Sequence, residues 1–596
     1  MTVISSATTI STTQTGDTVV SGGTLTVASG GAAVTTTVSS SGALVLQAGG
    51  TASNTVVSNG GLLLGSGIDS ATTVNSGGHD YVFAGGVARG TILNSGSVQF
   101  VLYGGAASGA TLVSGGEQFI FSSGVASGTI VSNGSFELVE LGGVTSGGVL
   151  SSGGLLGTSG RAVGVTDSGI LEVLGGGTAS HTIVAAGGSE IVTLNGNSIS
   201  TTIDRGGTQV VAAGTSFGAI VNSGGFEVVA AAGSATSATV NAGGVLEIVI
   251  GSSLDTVVNG GLEFVGSSSL SVSATIGAGG VEVVQSDGAA RATTIAGGVL
   301  ELEPGAITSG GVLFTGSGGV MKVDGASAIP ASSAVLSGFA PGESINLAFV
   351  TSAADDSFTA AGDTLTVTAG GTSYVFTVDG AGDESFQLSA ATDGSLIVEA
   401  AVCYYPGTGI RTPSGDVAVE SLKIADDLVL ADGRVMPVRW IGRNTVSTRF
   451  ADPLRVSPIR IKADALADGL PGRDLLVSPQ HAVRIDAILI QAGALVNGLS
   501  IIRESDVPET FIYYHIEMPE HALILAEGVA AESFVDNVSR MAFDNWDEHE
   551  TLYGDAPITE MASPRAQSHR QVPVEIHARL NERAAMLFGS GRSVAA

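Results

Sequence analysis

Apolar residues in the first three hundred positions alternate with polar ones in runs of only a few residues, as in Phe226-Glu227-Val228-Val229. A period of two over so short a run predicts β-strands rather than amphipathic helices. The runs are punctuated by Gly-Gly, or by degenerate Ser-Gly and Gly-Ser pairs. The first residue of the pair falls at 22, 41, 60, 77, 96, 115, 134 and 153, then near 169, 187, 206, 224, 243, 260, 279 and 297. The spacing is mostly 19 residues, with a few intervals of 16 to 18. Each unit offers two short β-prone runs separated by two turns, for example Phe226-Glu227-Val228-Val229 and Ala238-Thr239-Val240-Asn241-Ala242.

One such unit cannot bury a core, but stacked copies can, so the period predicts a parallel β-solenoid. At ~4.8 Å per coil, sixteen units make a rod on the order of 75 Å. Gly supplies the positive-φ corners, and Asn59, Asn133, Asn222, Asn241 and Asn259, just before the Gly pairs, favour left-handed turns and stacked amide ladders. Val, Leu and Ile are expected to alternate inward.

Composition supports this reading. Gly contributes 89 of 596 residues and charged residues only 13%. That excludes a long coiled coil, and the absence of a three-residue Gly period excludes collagen. Mean hydropathy is +0.41, yet no run of about 18 apolar residues predicts a membrane-spanning helix. The formal charge of −31 disfavours nucleic acid and anionic membranes as partners. Only five of the 23 Lys and Arg precede residue 401 (Arg89, Arg161, Arg205, Arg291 and Lys322). Both tryptophans, Trp440 and Trp546, and the only cysteine, Cys403, follow that point. The composition therefore changes near 400. A lone cysteine rules out an intrachain disulfide. The N-terminus shows neither the basic nor the apolar region of an ordinary secretory signal.

The 19-residue units over about 15–320 resemble the strand-loop-strand repeats of AIDA-type autotransporter adhesins. That resemblance implies a β-helical passenger-like stalk, surface exposure, and adhesion to or aggregation with a host surface or neighbouring cells. It also implies O-glycosylation of repeat Ser and Thr. Two departures are the missing ordinary signal peptide and the lack of C-terminal amphipathic strands for an outer-membrane barrel. The expected domains are a Gly-rich solenoid to 325, a small β cap over 326–400, a third domain over 401–545, and a polar tail from 546 that turns helical over 574–588. In the cap, alternating runs such as Thr364–Thr368 and Tyr374–Val378 predict strands that cover the solenoid's open sheet edge.

Taken alone, Cys403 reads as a small buried hydrophobe. Its context changes that. Cys403-Tyr-Tyr-Pro-Gly-Thr-Gly-Ile-Arg-Thr-Pro-Ser-Gly opens the third domain, and Val429–Val435 reads as a hairpin with an Asp432-Gly433 turn. Ser478-Pro-Gln-His481 follows, then Tyr513-Tyr514-His515-Ile516-Glu517 and Glu520-His521 through Val529. These ordered blocks, spanning about 403–535, resemble the Hint domain shared by Hedgehog autoprocessing domains and inteins.

The resemblance implies a β-rich Hint fold and an N-to-S acyl shift. Cys403 would attack the carbonyl of Val402 and convert the Val402–Cys403 peptide to a thioester. His481 would protonate the departing amide nitrogen, Ser478 would orient it, and His515 or His521 would help to activate the thiol. Where inteins carry His-Asn, this chain has Glu532-Ser533, so cyclisation and two-sided splicing are not expected. The assisting Asp of Hedgehog-type domains has no match in Ile441-Gly442-Arg443. Val402 is β-branched, which should slow attack on the thioester. One-sided cleavage, or transfer of the upstream acyl group to an external nucleophile, remains.

The plainer readings make His481 and His521 core histidines of a silent fold, Trp440 a core residue, and Asp426-Asp427 and Glu548-His549-Glu550 solvated loops. No cofactor and no metal site is expected: His79-Asp80 stands alone, and no Gly-Gly-x-Gly-x-Asp nonapeptide occurs. Three function classes follow. One is a self-cleaving Hint protein with a solenoid of adhesin type, exported to the cell surface or medium of a bacterium. The second is the same scaffold with a silent Hint domain. The third, a β-helix lyase or hydrolase, needs charges clustered on one coil face, and the repeat acids read as spread across coils.

Overall fold

In the computed structural model the Gly-marked text folds into a parallel β-solenoid with coils of about 19 residues between Val3 and Val323. The structure describes residues 2–588 except 317, 340–341, 354–355, 380, 382–385, 392, 401–402, 448–456, 534–542, 554–560, 562, 567–568 and 570. The chain divides into two compact units. One holds residues 1–290 except 276–278, and the other holds those three and the remainder.

Most coils carry three strands, not the two that the sequence suggests; in the last coils the second and third merge, as in Ala289–Ala296 and Ile307–Phe314. One coil, for instance, runs Ala43–Leu46, Thr51–Ser53 and Val56–Val57 before the next begins at Leu62. The strand that the sequence reading passes over is the middle one, such as Gly233–Thr236 between Phe226–Ala230 and Thr239–Asn241, because its Gly, Ser and Ala look like a turn. Successive coils pair in parallel and in register: Leu62 lies beside Ala43 and His79, and Val56 beside Thr37 and Thr73.

The two glycines of a mark do different work. Gly60 has φ +70, the left-handed region open to a residue without Cβ. Gly61 is not left-handed; a Cβ there would sit 2.8 Å from the Val38 carbonyl of the coil below. The first glycine turns the chain, and the second lets coils approach. Side-chain amides also stack between coils, with Asn94 donating to Asn75 at 2.9 Å and Asn241 to Asn222 at 3.0 Å.

The interior departs from the expected aliphatic filling. In the four-residue strands the second and fourth side chains face inward. Val, Leu or Ile takes the fourth position in most coils, but the second is often acidic or amide. Asp80, Gln99, Gln118, Glu137, Glu190, Gln209, Glu227, Glu263 and Glu282 are all essentially inaccessible. Pairing puts Glu190, Gln209, Glu227, Leu246, Glu263 and Glu282 in one column. The acids that look scattered in the text are therefore aligned, and they face the core.

Neighbours satisfy some of these groups. Gln99 donates to Asp80 at 2.7 Å, Gln209 to Glu190 at 2.9 Å, and Ser253 to Glu263 at 2.6 Å. Burial favours the neutral acid. It raises Glu263 to about 7, and with the charge of Glu263 it raises Glu282 to about 8. Outside, the same strands carry a ring stack: Tyr81 lies 4.9 Å from Phe100, and Phe100 lies 5.5 Å from Phe119.

After the last coils, Ser344–Thr351 pairs in parallel with Val320–Val323 and antiparallel with Ser395–Ala400. Ser357–Ala361, Thr364–Ala369 and Thr372–Thr377 form a separate antiparallel sheet. From Gly409 onward the chain is a β-domain of short antiparallel pairs around a core that includes Tyr404, Ile410, Val477, Ile490, Ile516 and Ile524. The expected hairpin forms, pairing Asp427–Val429 with Val435–Pro437. Among the described residues two helices follow, Trp546–Tyr553 and Val574–Phe588. Among the described residues no helix is long and apolar enough to cross a membrane.

Candidate functional site

The segment around Cys403 is a single extended stretch trapped between two strands. Tyr404 donates to the Tyr514 carbonyl at 2.7 Å, and Tyr514 donates back at 2.9 Å. On the other side Tyr404 bridges Val477, at the end of the Leu475–Val477 strand. Ser478 follows immediately and faces Cys403 twice. The Cys403 N–H donates to Ser478 Oγ at 2.7 Å, and the Ser478 N–H donates to the Cys403 carbonyl at 2.8 Å. The hydroxyl therefore contacts the amide nitrogen of the Val402–Cys403 peptide. Val402 itself lies outside the described residues.

His481 is reached by a tight turn, its N–H donating to the Ser478 carbonyl at 3.1 Å. The ring is fully buried, with its centroid 4.1 Å from that of Tyr404. Burial, with His515 as a second positive neighbour, pushes its pKa down to about 3, although backbone groups of Glu532 and Cys403 favour the charged form. The resting imidazole is neutral. His515 is also buried and lies opposite Gly442 across the Trp440–Ser447 and Thr510–Glu517 pair. The structure thus gathers Cys403, Ser478, His481 and His515.

His521 takes a different set of partners. Its Nδ1 accepts from the Met561 N–H at 3.1 Å, and its Nε2 lies 3.8 Å from Glu532. The Glu532 carboxylate also accepts from the Ala482 N–H at 3.0 Å and from Arg565 at 2.9 Å. Ser533 exchanges two hydrogen bonds with Ala522. Both residues of the Glu532-Ser533 pair are thus held in the framework.

Cys403 is 2% exposed and shares an apolar cluster with Trp440, Phe511, Tyr513 and Phe543. Burial pushes its thiol well above the usual range. Trp440 is core, as its residue type suggests. Tyr513 and Phe543 were not singled out from the sequence. Alternation along Phe511, Tyr513, His515 and Glu517 is the signal that would have placed Tyr513 on the site's face. For Phe543 there was none.

One expectation is overturned. His549 is not in a solvated loop. It sits in the Trp546–Tyr553 helix, 2% exposed, with Nε2 3.1 Å from Glu517. Glu517 also meets Arg439 at 3.2 Å, forming a buried ionic group beside Trp440. A polar tripeptide reads as exposed when its distant partner is not visible. His79 and Asp80 also part company, since Asp80 points into the solenoid while His79 stacks outside near Phe100. Among the described residues no group of three or more His, Cys, Asp or Glu is arranged to hold a metal ion.

Residues 402–538 match the family model of the Hint domain. Among solved structures, a TibA fragment hyper-glycosylated by TibC aligns with 50% of this chain and 99% of its own, at 31% identity and a TM-score of 0.40. The Dettilon tailspike protein aligns with 83% of this chain and 88% of its own, at 12% identity and a TM-score of 0.14. No curated protein matches the chain.

Proposed function

We propose, from the Hint-domain match of residues 402–538 and from repeats that resemble AIDA-type strand-loop-strand units, a surface adhesin-like protein that cleaves itself between Val402 and Cys403. The observation that carries the reading is the paired hydrogen bonding of Cys403 and Ser478. It holds the nitrogen that would leave, next to a sulfur that would attack.

In the proposed step the Cys403 Sγ–C bond to the Val402 carbonyl forms and the C–N bond to Cys403 breaks. The thiol proton ends on the freed amine. A neutral His481 fits a relay better than a stored acid, because the proton that it delivers must first be taken up. His515, close enough to interact electrostatically with His481, is the second base in its neutral form. Ser478 orients the nitrogen. His521 acts through Glu532 rather than on the thiol. Water, a thiol or another external nucleophile then resolves the thioester, and no cofactor is needed for that chemistry.

For the solenoid we infer a surface or secreted location, with host surfaces or neighbouring cells as partners. Exposed corner residues such as Ser21, Ser40, Ser76, Ser95 and Ser114 are suited to O-glycosylation. Fractionation that finds all of the protein in the cytoplasm would overturn the location. For cleavage, the test is the mass of purified chain over time, with and without hydroxylamine. A silent Hint domain is favoured by the deep burial of the thiol. It is the conclusion if the wild-type chain stays intact for days under hydroxylamine.

A further inference from the structure

The family match ends at 538, but the fold around Cys403 does not. Phe543 returns to the site with 2% exposure and joins the apolar cluster of Cys403, Trp440 and Tyr513. Its ring stands edge-on to Trp440 at 5.4 Å and to His515 at 5.7 Å. It occupies the space over Gly442, where a Cβ would come within 2.7 Å of the ring. Glycine at 442 thus leaves a seat opposite His515, and Phe543 fills it.

The residues after Phe543 fasten it along the edge of the Trp440–Ser447 strand. The Asp544 N–H donates to the Arg443 carbonyl at 2.7 Å, and its carboxylate accepts from the Thr445 N–H at 3.0 Å and hydroxyl at 2.6 Å. Asn545 accepts from the Arg443 N–H at 2.9 Å and donates to the Ile441 carbonyl at 3.0 Å. The helix that follows adds His549 on Glu517 and a Tyr553 hydroxyl on the Arg439 carbonyl at 2.9 Å.

We propose that Phe543–Tyr553 is a built-in strap that seals the Cys403 pocket, so that thioester formation proceeds inside while attack by an external nucleophile waits for the strap to lift. The regulation rests on the cleavage reading above, but the seal itself does not. The acyl shift uses only groups of the same chain and needs no opening. Resolution of the thioester breaks its C–S bond with a nucleophile from solvent and returns the proton to Cys403 Sγ, so it needs a path. The bonds of Asp544 and Asn545 to Arg443 and Thr445 lie at the surface, where local opening is cheapest.

Cys403 is the only cysteine, so its alkylation by iodoacetamide, read by intact mass on the full chain, reports the seal whether or not the chain cleaves. Phe543→Ala and the double variant Asp544→Ala/Asn545→Ala should each speed alkylation by roughly tenfold or more, since several net hydrogen bonds or a buried ring are lost. The double variant keeps the ring and removes only surface anchors, so it decides the matter if Phe543→Ala fails to fold. In a chain that cleaves, hydroxylamine-dependent scission should rise in the same ratio. Alkylation of the double variant at the wild-type rate would overturn the seal. Faster alkylation with unchanged scission would overturn the regulation. Faster alkylation in a chain that never cleaves would leave the seal standing and remove the cleavage reading.

Discussion

Ser478 and Cys403 are bound to each other twice across 75 positions of sequence: the Cys403 N–H donates to the Ser478 hydroxyl at 2.7 Å, and the Ser478 N–H donates to the Cys403 carbonyl at 2.8 Å. The pair fixes the peptide nitrogen on which the proposed cleavage turns.

If that nitrogen departs, wild-type chain should separate into pieces of 402 and 194 residues, faster with hydroxylamine. Cys403→Ala should abolish scission, because no other thiol exists in the chain. Mass spectrometry of both proteins over days checks this.

Ser478→Ala should slow scission by roughly tenfold, the worth of about one hydrogen bond to a buried N–H. His481→Ala should slow it by roughly 10²–10⁴-fold, as expected for a lost proton relay. Equal rates for the two variants would reverse their assigned roles.

The two parts of the chain should respond oppositely to pH. Folded Glu263 and Glu282 hold protons to about 7 and about 8, whereas an unfolded Glu releases its proton near 4.5. Their contribution to stability is complete below about 4.5 and is lost as pH rises through about 7 to 8. His481 has the opposite sign. It stays neutral in the fold down to about 3 while an unfolded His charges near 6.5, so its contribution is present above about 6.5 and lost as pH falls toward 3. Hydrogen exchange on the full chain should show solenoid amides losing protection at alkaline pH and Hint-domain amides losing it at acid pH.

Glu263→Gln keeps the shape and removes the ionisable proton. It should raise the solenoid's melting temperature at alkaline pH by a few degrees, roughly 2–4 °C per kcal/mol gained, and change little near pH 5. Calorimetry at the two pH values tests it.

Gly61→Ala should destabilise the solenoid more than Ser58→Ala. The new methyl would meet the Val38 carbonyl at 2.8 Å and the Ser58 carbonyl at 3.0 Å, both rigid backbone. A fall of roughly 1–3 kcal/mol is the scale of overpacking, and denaturant melts of both variants would show the order.

The repeat spacing was legible because each coil uses the same backbone corners and each corner restricts its residue type. Gly pairs and stacked Asn therefore mark the period even where the strands between them vary. The thiol, Ser478 and the histidines were legible because short-range motifs carry them, Ser478 and His481 within one turn and His515 within one strand. The strands' burial pattern was only half legible. Inward Val and Leu obey the hydrophobic pattern, whereas Glu227, Glu263 and Glu282 break it, because a protonated acid beside the hydroxyls of neighbouring strands is a neutral group.

By itself the sequence determined a Gly-cornered β-solenoid followed by a Hint-type domain. Both follow from interactions within a coil or a motif, where neighbours in the chain are neighbours in space. Tertiary structure alone decided which side chains meet across long separations: Phe543 over Gly442, His549 on Glu517, His521 with Glu532 and Met561, and the acid column inside the coils. Burial sets the charge state of His481 and of the interior acids, and burial belongs to the packed whole. No run of neighbouring residues contains it.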